Sequence, residues 1–155
     1  MASLTVTTVL RKLRRSESGA EIIEFELTLP LLLLVVLGII EFGFVFQQYE
    51  VVTNAAREGA RMAVLPGYAN TDVQNRVAIY LTNAGISGAA TTTVTPTQIA
   101  LGGGLASLPA TKVTVQMNYT FKFLGPIAQL FGGSFGTVTL STASEMRTEV
   151  AAGVT

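Results

Sequence analysis

An uncharged apolar run near the N-terminus constrains this chain more than any other feature. Residues 27–40 (LTLPLLLLVVLGII) contain no charged side chain, and a basic cluster precedes them at positions 11–15. A helix over 27–40 alone covers about 21 Å, which is too short for a hydrocarbon core of about 30 Å. A helix over residues 25–46 covers about 33 Å. The sequence therefore predicts one membrane-spanning helix that includes the run.

The charges on either side of this helix predict its orientation. The basic residues of the leader are Arg11, Lys12, Arg14 and Arg15. Basic residues beside an apolar segment stay on the cytoplasmic side of the membrane. We therefore expect a single-pass protein of the cytoplasmic (inner) membrane, with its N-terminus in the cytoplasm and its C-terminal domain outside.

The helical pattern continues beyond the membrane. One small, apolar face recurs to position 64, and the sequence Pro66-Gly67 then ends the pattern. We predict one helix from about 21 to 64, transmembrane over 20–46 and exported over 47–65. On its exported part, helix packing is assigned to three small residues spaced by four: Ala55, Gly59 and Ala63. Small residues at that spacing allow close approach, either of another helix or of the chain's own sheet.

The exported domain is predicted to mix helix and strand. A second helix is expected from Asn70 or Thr71, as its cap, to about residue 83. Alternation of apolar and polar side chains predicts a clear strand, and two weaker segments accompany it. The three expected strands are 91–99 (an edge strand because it contains Pro96), 112–123 and 137–146. The expected fold class is α+β, a long transmembrane helix continuing into a small helix-plus-antiparallel-sheet domain over 68–155.

The composition argues against catalysis. The chain has no cysteine and no histidine, and Asp72 is its one aspartate. Thiol and imidazole chemistry and histidine or cysteine metal sites are therefore excluded. No phosphate-binding motif follows the glycines at 102–104, and no basic nucleic-acid patch occurs. We expect no enzyme, no cofactor, no metal, no nucleic acid and no small-molecule substrate. An anchored enzyme using Glu145 and Glu149 is a further alternative, although in a strand these residues would lie about 13 Å apart.

A short motif stands between the basic leader and the apolar run. Residues 19–25 read GAEIIEF, so that Glu24 follows Gly19 by five positions at the mouth of the apolar helix. A glycine at the end of a basic leader with such a carboxylate is typical of a processing signal joined to an anchor. An ordinary signal peptide would instead be followed by small residues at a cleavage site. Residues 41–47 (EFGFVFQ) offer no such site.

With these residues the chain resembles the TadE-like family, minor pilin-like proteins of the tight-adherence (Flp, type IVb) pilus system. The resemblance is strong over residues 15–65 and diffuse afterwards. Its segments are 19–25, the leucine-rich run with Pro30, 38–43 (GIIEFG), 53–61 (TNAAREGAR) and, weakly, 113–123 and 143–147.

The resemblance implies a pilin-like fold and a processing step. A prepilin peptidase would cleave between Gly19 and Ala20 on the cytoplasmic side and remove residues 1–19. The new cationic amino group of Ala20 would then pair with Glu24 of a neighbouring subunit, and the helix-assembly residues would be Glu24, Phe25 and Glu41. Glu21 and Glu26 place two more carboxylates beside Glu24. The implied partners are the membrane, prepilin peptidase, other pilin-like subunits and tight-adherence assembly proteins.

The sequence thus favours a minor pilin-like structural or assembly protein of an adhesive pilus. The alternative is an uncleaved, signal-anchored extracytoplasmic domain that binds a partner. In that alternative Gly19 is a linker residue and the basic leader persists.

Overall fold

The structure is a computed structural model that describes residues 17–86, 88–101, 107–133 and 136–148. Its helices are α1 (Glu17–Ala63), α2 (Asn70–Asn83) and α3 (Leu124–Leu130), and its strands are β1 (Ala90–Ile99), β2 (Leu108–Thr120) and β3 (Thr137–Arg147). A long apolar helix is followed by a small helix and a three-stranded antiparallel sheet, so the predicted α+β fold is confirmed. The basic leader up to residue 16 and the glycines at 102–104 lie outside the described residues.

The described residues form two compact units that divide between Ile40 and Glu41. The described part of the first unit is α1 up to Ile40, with Pro30 inside the helix. Its large apolar side chains are exposed, for example Leu27 and Leu31. Within the described part of the chain, α1 alone has the length and hydropathy needed to cross a membrane. Its uncharged part, residues 27–40, exposes apolar side chains and is suited to a lipid environment.

The second unit contains the sheet, with strand order β1-β2-β3 and both pairs antiparallel. Strand β1 lies at an edge of the sheet, as Pro96 predicts. Proline has no N–H to donate to a neighbouring strand and is therefore confined to edge strands. Alternation along β2 buries four side chains on one face of the sheet: Val113, Val115, Met117 and Tyr119. That face carries the core, while the intervening residues are exposed or half-buried.

Both longer helices cover this face of the sheet. Helix α1 contributes the buried residues Val52, Ala55, Ala56 and Ala60, and α2 contributes Val73, Val77 and Leu81. The contact is closest at Gly59, where an added Cβ would lie 2.7 Å from Val77 Cγ2 and 3.2 Å from Val113 Cγ1. A bare glycine is therefore what lets α1, α2 and β2 meet at one point.

An exposed ion-pair bridge also joins α1 to α2. Glu58 on α1 accepts hydrogen bonds from Arg61 on the same helix, at 3.2 and 3.3 Å, and from Arg76 on α2, at 3.0 and 3.2 Å. The guanidinium groups of Arg61 and then Arg76 lower the pKa of Glu58. Because both arginines are exposed, the bridge contributes little to stability.

The cap of α2 differs from the sequence prediction. The N-cap is Ala69, not Asn70 or Thr71. Alanine has no side-chain acceptor, and instead the Asp72 carboxylate accepts a hydrogen bond from the Ala69 N–H at 2.8 Å. A carboxylate in the first turn also interacts favourably with the helix dipole.

The end of β2 also differs from the prediction. The alternation of side chains predicts a strand to Phe123, whereas β2 ends at Thr120. The N–H groups of Lys122, Phe123 and Leu124 donate to the carboxylate of Glu41 rather than to a neighbouring strand. A contact about eighty residues away in sequence therefore ends the strand, and side-chain alternation carries no sign of it.

Packing at Gly59 generates a matched pair of substitutions. Gly59→Ala inserts a methyl group against Val77, and overpacking of this kind costs about 1–3 kcal/mol. Better helix propensity offsets about 1 kcal/mol of that loss. Gly43→Ala gains the same propensity with nothing within 4 Å of the new Cβ. Thermal unfolding of the full chain in detergent should show a lower Tm for Gly59→Ala and an unchanged or higher Tm for Gly43→Ala. Equal Tm values would contradict the close contact.

Candidate functional site

Glu41 is the one buried charged side chain among the described residues, with none of its surface exposed. It belongs to the second unit and directly follows Ile40, the last residue of the uncharged run. Its Oε1 accepts hydrogen bonds from the Tyr119 hydroxyl at 2.6 Å and from the Lys122 N–H at 2.9 Å. Its Oε2 accepts from the N–H groups of Phe123 at 2.6 Å and Leu124 at 3.2 Å.

The sequence supplies these four donors from one short stretch. Tyr119 occupies the last inward-facing position of β2, so its hydroxyl points to the same side as the core residues before it. The chain then leaves the sheet and begins α3 at Leu124. The N–H groups at a helix start have no partner inside the helix, and Glu41 accepts from the one at Leu124. Hereafter the Glu41 carboxylate with its four donors is called the Glu41 clamp.

Burial of a carboxylate is unfavourable unless its oxygens are hydrogen-bonded. Each oxygen of Glu41 has two donors, and within the described residues no buried side-chain nitrogen or oxygen lacks a partner. Burial and the hydrogen bond to Glu41 raise the pKa of Tyr119 to about 12. The phenol therefore stays protonated and remains a donor at physiological pH.

The Glu41 clamp is suited to holding structure rather than to catalysis. A general base needs a free lone pair directed at a substrate proton, whereas both oxygens of Glu41 are already engaged by the chain. In the described part of the chain, no group of three acidic, histidine or cysteine residues is placed to hold a metal ion. The clamp holds the start of α3 against Glu41, the residue of α1 that follows the uncharged run.

The predicted processing and assembly residues lie on the first unit. Gly19, Ala20, Glu24 and Phe25 are all helical, on α1. Ala20, Glu24 and Phe25 are exposed, and the Glu24 carbonyl accepts a hydrogen bond from the Thr28 hydroxyl at 2.7 Å. Among the described residues, the ion pairs all involve Glu58. The roles of these four residues concern other molecules and stay predictions.

The family resemblance groups Glu41 with Glu24 and Phe25, but Glu41 belongs to the other compact unit. Within the chain its carboxylate is used by Tyr119 and by the amides that begin α3. Its part in helix assembly stays a prediction. Sequence reasoning missed the role of Tyr119 as a donor to Glu41. The available signal was a hydroxyl at the end of an otherwise apolar strand face. No side-chain signal exists for the three backbone donors.

The small-residue face of α1, formed by Ala55, Gly59 and Ala63, contacts the chain's own core. Ala55 and Gly59 are buried and Ala63 is half-buried. The two occupants left open by the sequence were another helix and the chain's own sheet. Inside this chain the neighbours of Gly59 are Val73 and Val77 of α2 and Val113 of β2, so both a helix and the sheet occupy the face.

The Glu41 clamp predicts an order of stability losses. Glu41→Gln keeps the shape but replaces one acceptor oxygen by an NH₂ group facing donors, and we expect a loss of about 2–3 kcal/mol in the free energy of unfolding. Tyr119→Phe removes one donor and should cost about 1–2 kcal/mol. Denaturant unfolding of the full chain in detergent, followed by circular dichroism, measures both losses.

Glu50→Gln is the matched control for this series, because Glu50 is exposed on the same helix. Exposed substitutions of this kind usually change stability by less than about 0.5 kcal/mol. A Glu41→Gln variant as stable as Glu50→Gln would show that the clamp does not hold the fold.

Comparison with known proteins finds a family resemblance over the part of the chain that contains Glu41. Comparisons with curated proteins and with solved structures give no significant match. Residues 19–61 match the family model described as TadE-like protein. The matched segment begins at the predicted processing glycine and includes the apolar run, Glu41 and most of the small-residue face. The suspected resemblance to the TadE-like family is thereby confirmed over this segment of the chain.

Proposed function

We propose that this protein is a minor pilin-like structural or assembly component of a tight-adherence (Flp) type IVb pilus, anchored in the cytoplasmic membrane. The observation that carries the proposal is the coincidence of the TadE-like match at 19–61 with the apolar helix α1. The family match points to a pilus-associated protein, and the exposed apolar side chains of 27–40 supply the surface for the membrane or for other helices.

Processing is the first step of the proposed function. Prepilin peptidase hydrolyses the peptide bond between Gly19 and Ala20, releases the basic leader and leaves a cationic amino group on Ala20. Two features support this step: glycine stands at the end of the leader, and the basic residues of the leader favour a cytoplasmic location for the cleavage site. The mature chain then carries six basic and nine acidic residues.

Association through the N-terminal helix is the second step. The amino group of Ala20 on one subunit pairs with Glu24 on its neighbour as the apolar helices come together. Support comes from the exposure of Glu24 and Phe25 on α1 and from the apolar surface that continues along the same helix. A charge left alone in the membrane is costly, so the pair favours one register of the two helices.

The second candidate function is an uncleaved, signal-anchored domain that binds a partner outside the membrane. The second unit is compact and has its own hydrophobic core, as a partner-binding domain requires. The two candidates differ in whether residues 1–19 persist.

The intact mass of the protein from membranes tests the proposal. In cells that contain prepilin peptidase we expect the mass of residues 20–155, and in cells without it the full-length mass. Gly19→Leu should stay full length in both strains because a bulky side chain replaces the glycine at the cleavage site. Leu27→Ala, outside the motif, is the matched control and should be processed normally. A full-length wild-type mass in both strains would contradict processing and favour the uncleaved anchor.

A further inference from the structure

A second apolar surface begins at the Glu41 clamp. Residues 123–131 (FLGPIAQLF), hereafter the α3 segment, contain no charged side chain. Leu130 is 82% exposed and Phe131 is 81% exposed, the highest values among the large apolar side chains of the described chain. Exposed apolar side chains clustered at one place usually mark a binding surface.

The clamp fixes where this segment lies. Phe123 and Leu124 donate their N–H groups to Glu41, so the α3 segment starts within hydrogen-bond distance of the residue that follows the apolar run. Helix α3 has seven residues, which corresponds to a length of about 10 Å. Leu130 and Phe131 therefore lie no farther from the clamp than about the length of α3, which is roughly two helical turns.

The neighbours of the clamp have the composition of a membrane interface. Phe42, Phe44 and Phe46 are all exposed around this level of α1. The Lys122 ammonium lies 4.9 Å from the centre of the Phe44 ring. Tyrosine and tryptophan are enriched where a span meets the headgroups, and Tyr49 is exposed on α1 about two turns beyond Glu41. Lysine at such a place lays its stem along apolar surface and extends its charge to the phosphates.

We propose that the α3 segment inserts its exposed Leu130 and Phe131 into the outer-leaflet interface of the membrane that α1 spans. The occupant is lipid, because the segment is uncharged and is hydrogen-bonded to Glu41, the residue that follows the uncharged run. The second unit thus has two attachments to one membrane, a covalent one through α1 and an apolar one through α3. The inference rests on the membrane anchor and needs neither cleavage nor a pilus.

The chain has no cysteine, so single cysteines can be labelled without background. Leu130→Cys and Phe131→Cys in the full chain are labelled with bimane and reconstituted into phosphatidylethanolamine and phosphatidylglycerol vesicles whose acyl chains carry bromine. Leu65→Cys is the matched control, since Leu65 is also exposed but lies beyond the far end of α1. The helix between Glu41 and Ala63 separates it from the clamp by about 33 Å. Leu34→Cys, inside the apolar run, reports insertion of the anchor.

We expect bimane at positions 130 and 131 to be quenched several-fold more strongly than at position 65, approaching the quenching at position 34. Quenching at 130 and 131 equal to that at 65 would place the segment in water and overturn the proposal. A blue-shifted emission at 130 and 131 without bromine quenching would mean that protein, such as a second copy, covers the segment, and would also overturn it. Absence of quenching at 34 would show that the anchor itself is not inserted, and the proposal would fail with it. Intact-mass results are independent of all these outcomes.

Discussion

One buried carboxylate, at the first residue of the second compact unit, fixes the end of β2 and the start of α3. Glu41 accepts four hydrogen bonds, from the hydroxyl of Tyr119 and from three successive backbone amides. These bonds end β2, start α3 and tie both to the first residue after the uncharged run. Removing one partner of a buried charge is generally far more costly than the net contribution of the intact arrangement. Each of the four donors therefore contributes to keeping the carboxylate buried without an unpaired oxygen.

Helix α1 has to satisfy two environments along its length. Between Leu27 and Ile40 most of its side chains are large, apolar and exposed, which suits lipid or the apolar helices of other subunits. Beyond Val52 its inward face is made of small residues, and at Gly59 the side chains of Val77 and Val113 would have to shift to admit an added Cβ. The TadE-like match covers both parts. In our proposal, the first part serves assembly and the second part holds the exported domain.

The sequence predicted those elements that periodic side-chain patterns specify. Helix α2 from position 70 to 83 and the three strands follow from spacing of apolar residues, and the fold class follows from them. The end of β2 and the cap of α2 were wrong, because they depend on backbone donors binding Glu41 and on a backward hydrogen bond from Ala69 to Asp72. The three backbone donors to Glu41 have no side-chain signal, whereas Asp72 at the third position of α2 is a signal that sequence reasoning missed. The roles of Gly19 and Glu24 involve another molecule, so the structure of a single chain does not test them.

Amide hydrogen exchange at Lys122, Phe123 and Leu124 tests most directly whether the Glu41 carboxylate holds the end of β2 and the start of α3. These amides lie outside the β-ladder, so their protection depends on the Glu41 carboxylate. In the full chain in detergent we expect them to exchange slowly, and Glu41→Gln should accelerate their exchange while Val115 in β2 stays protected. Fast exchange at all three amides in the wild-type chain would contradict the clamp and, with it, the placement of α3 beside the membrane.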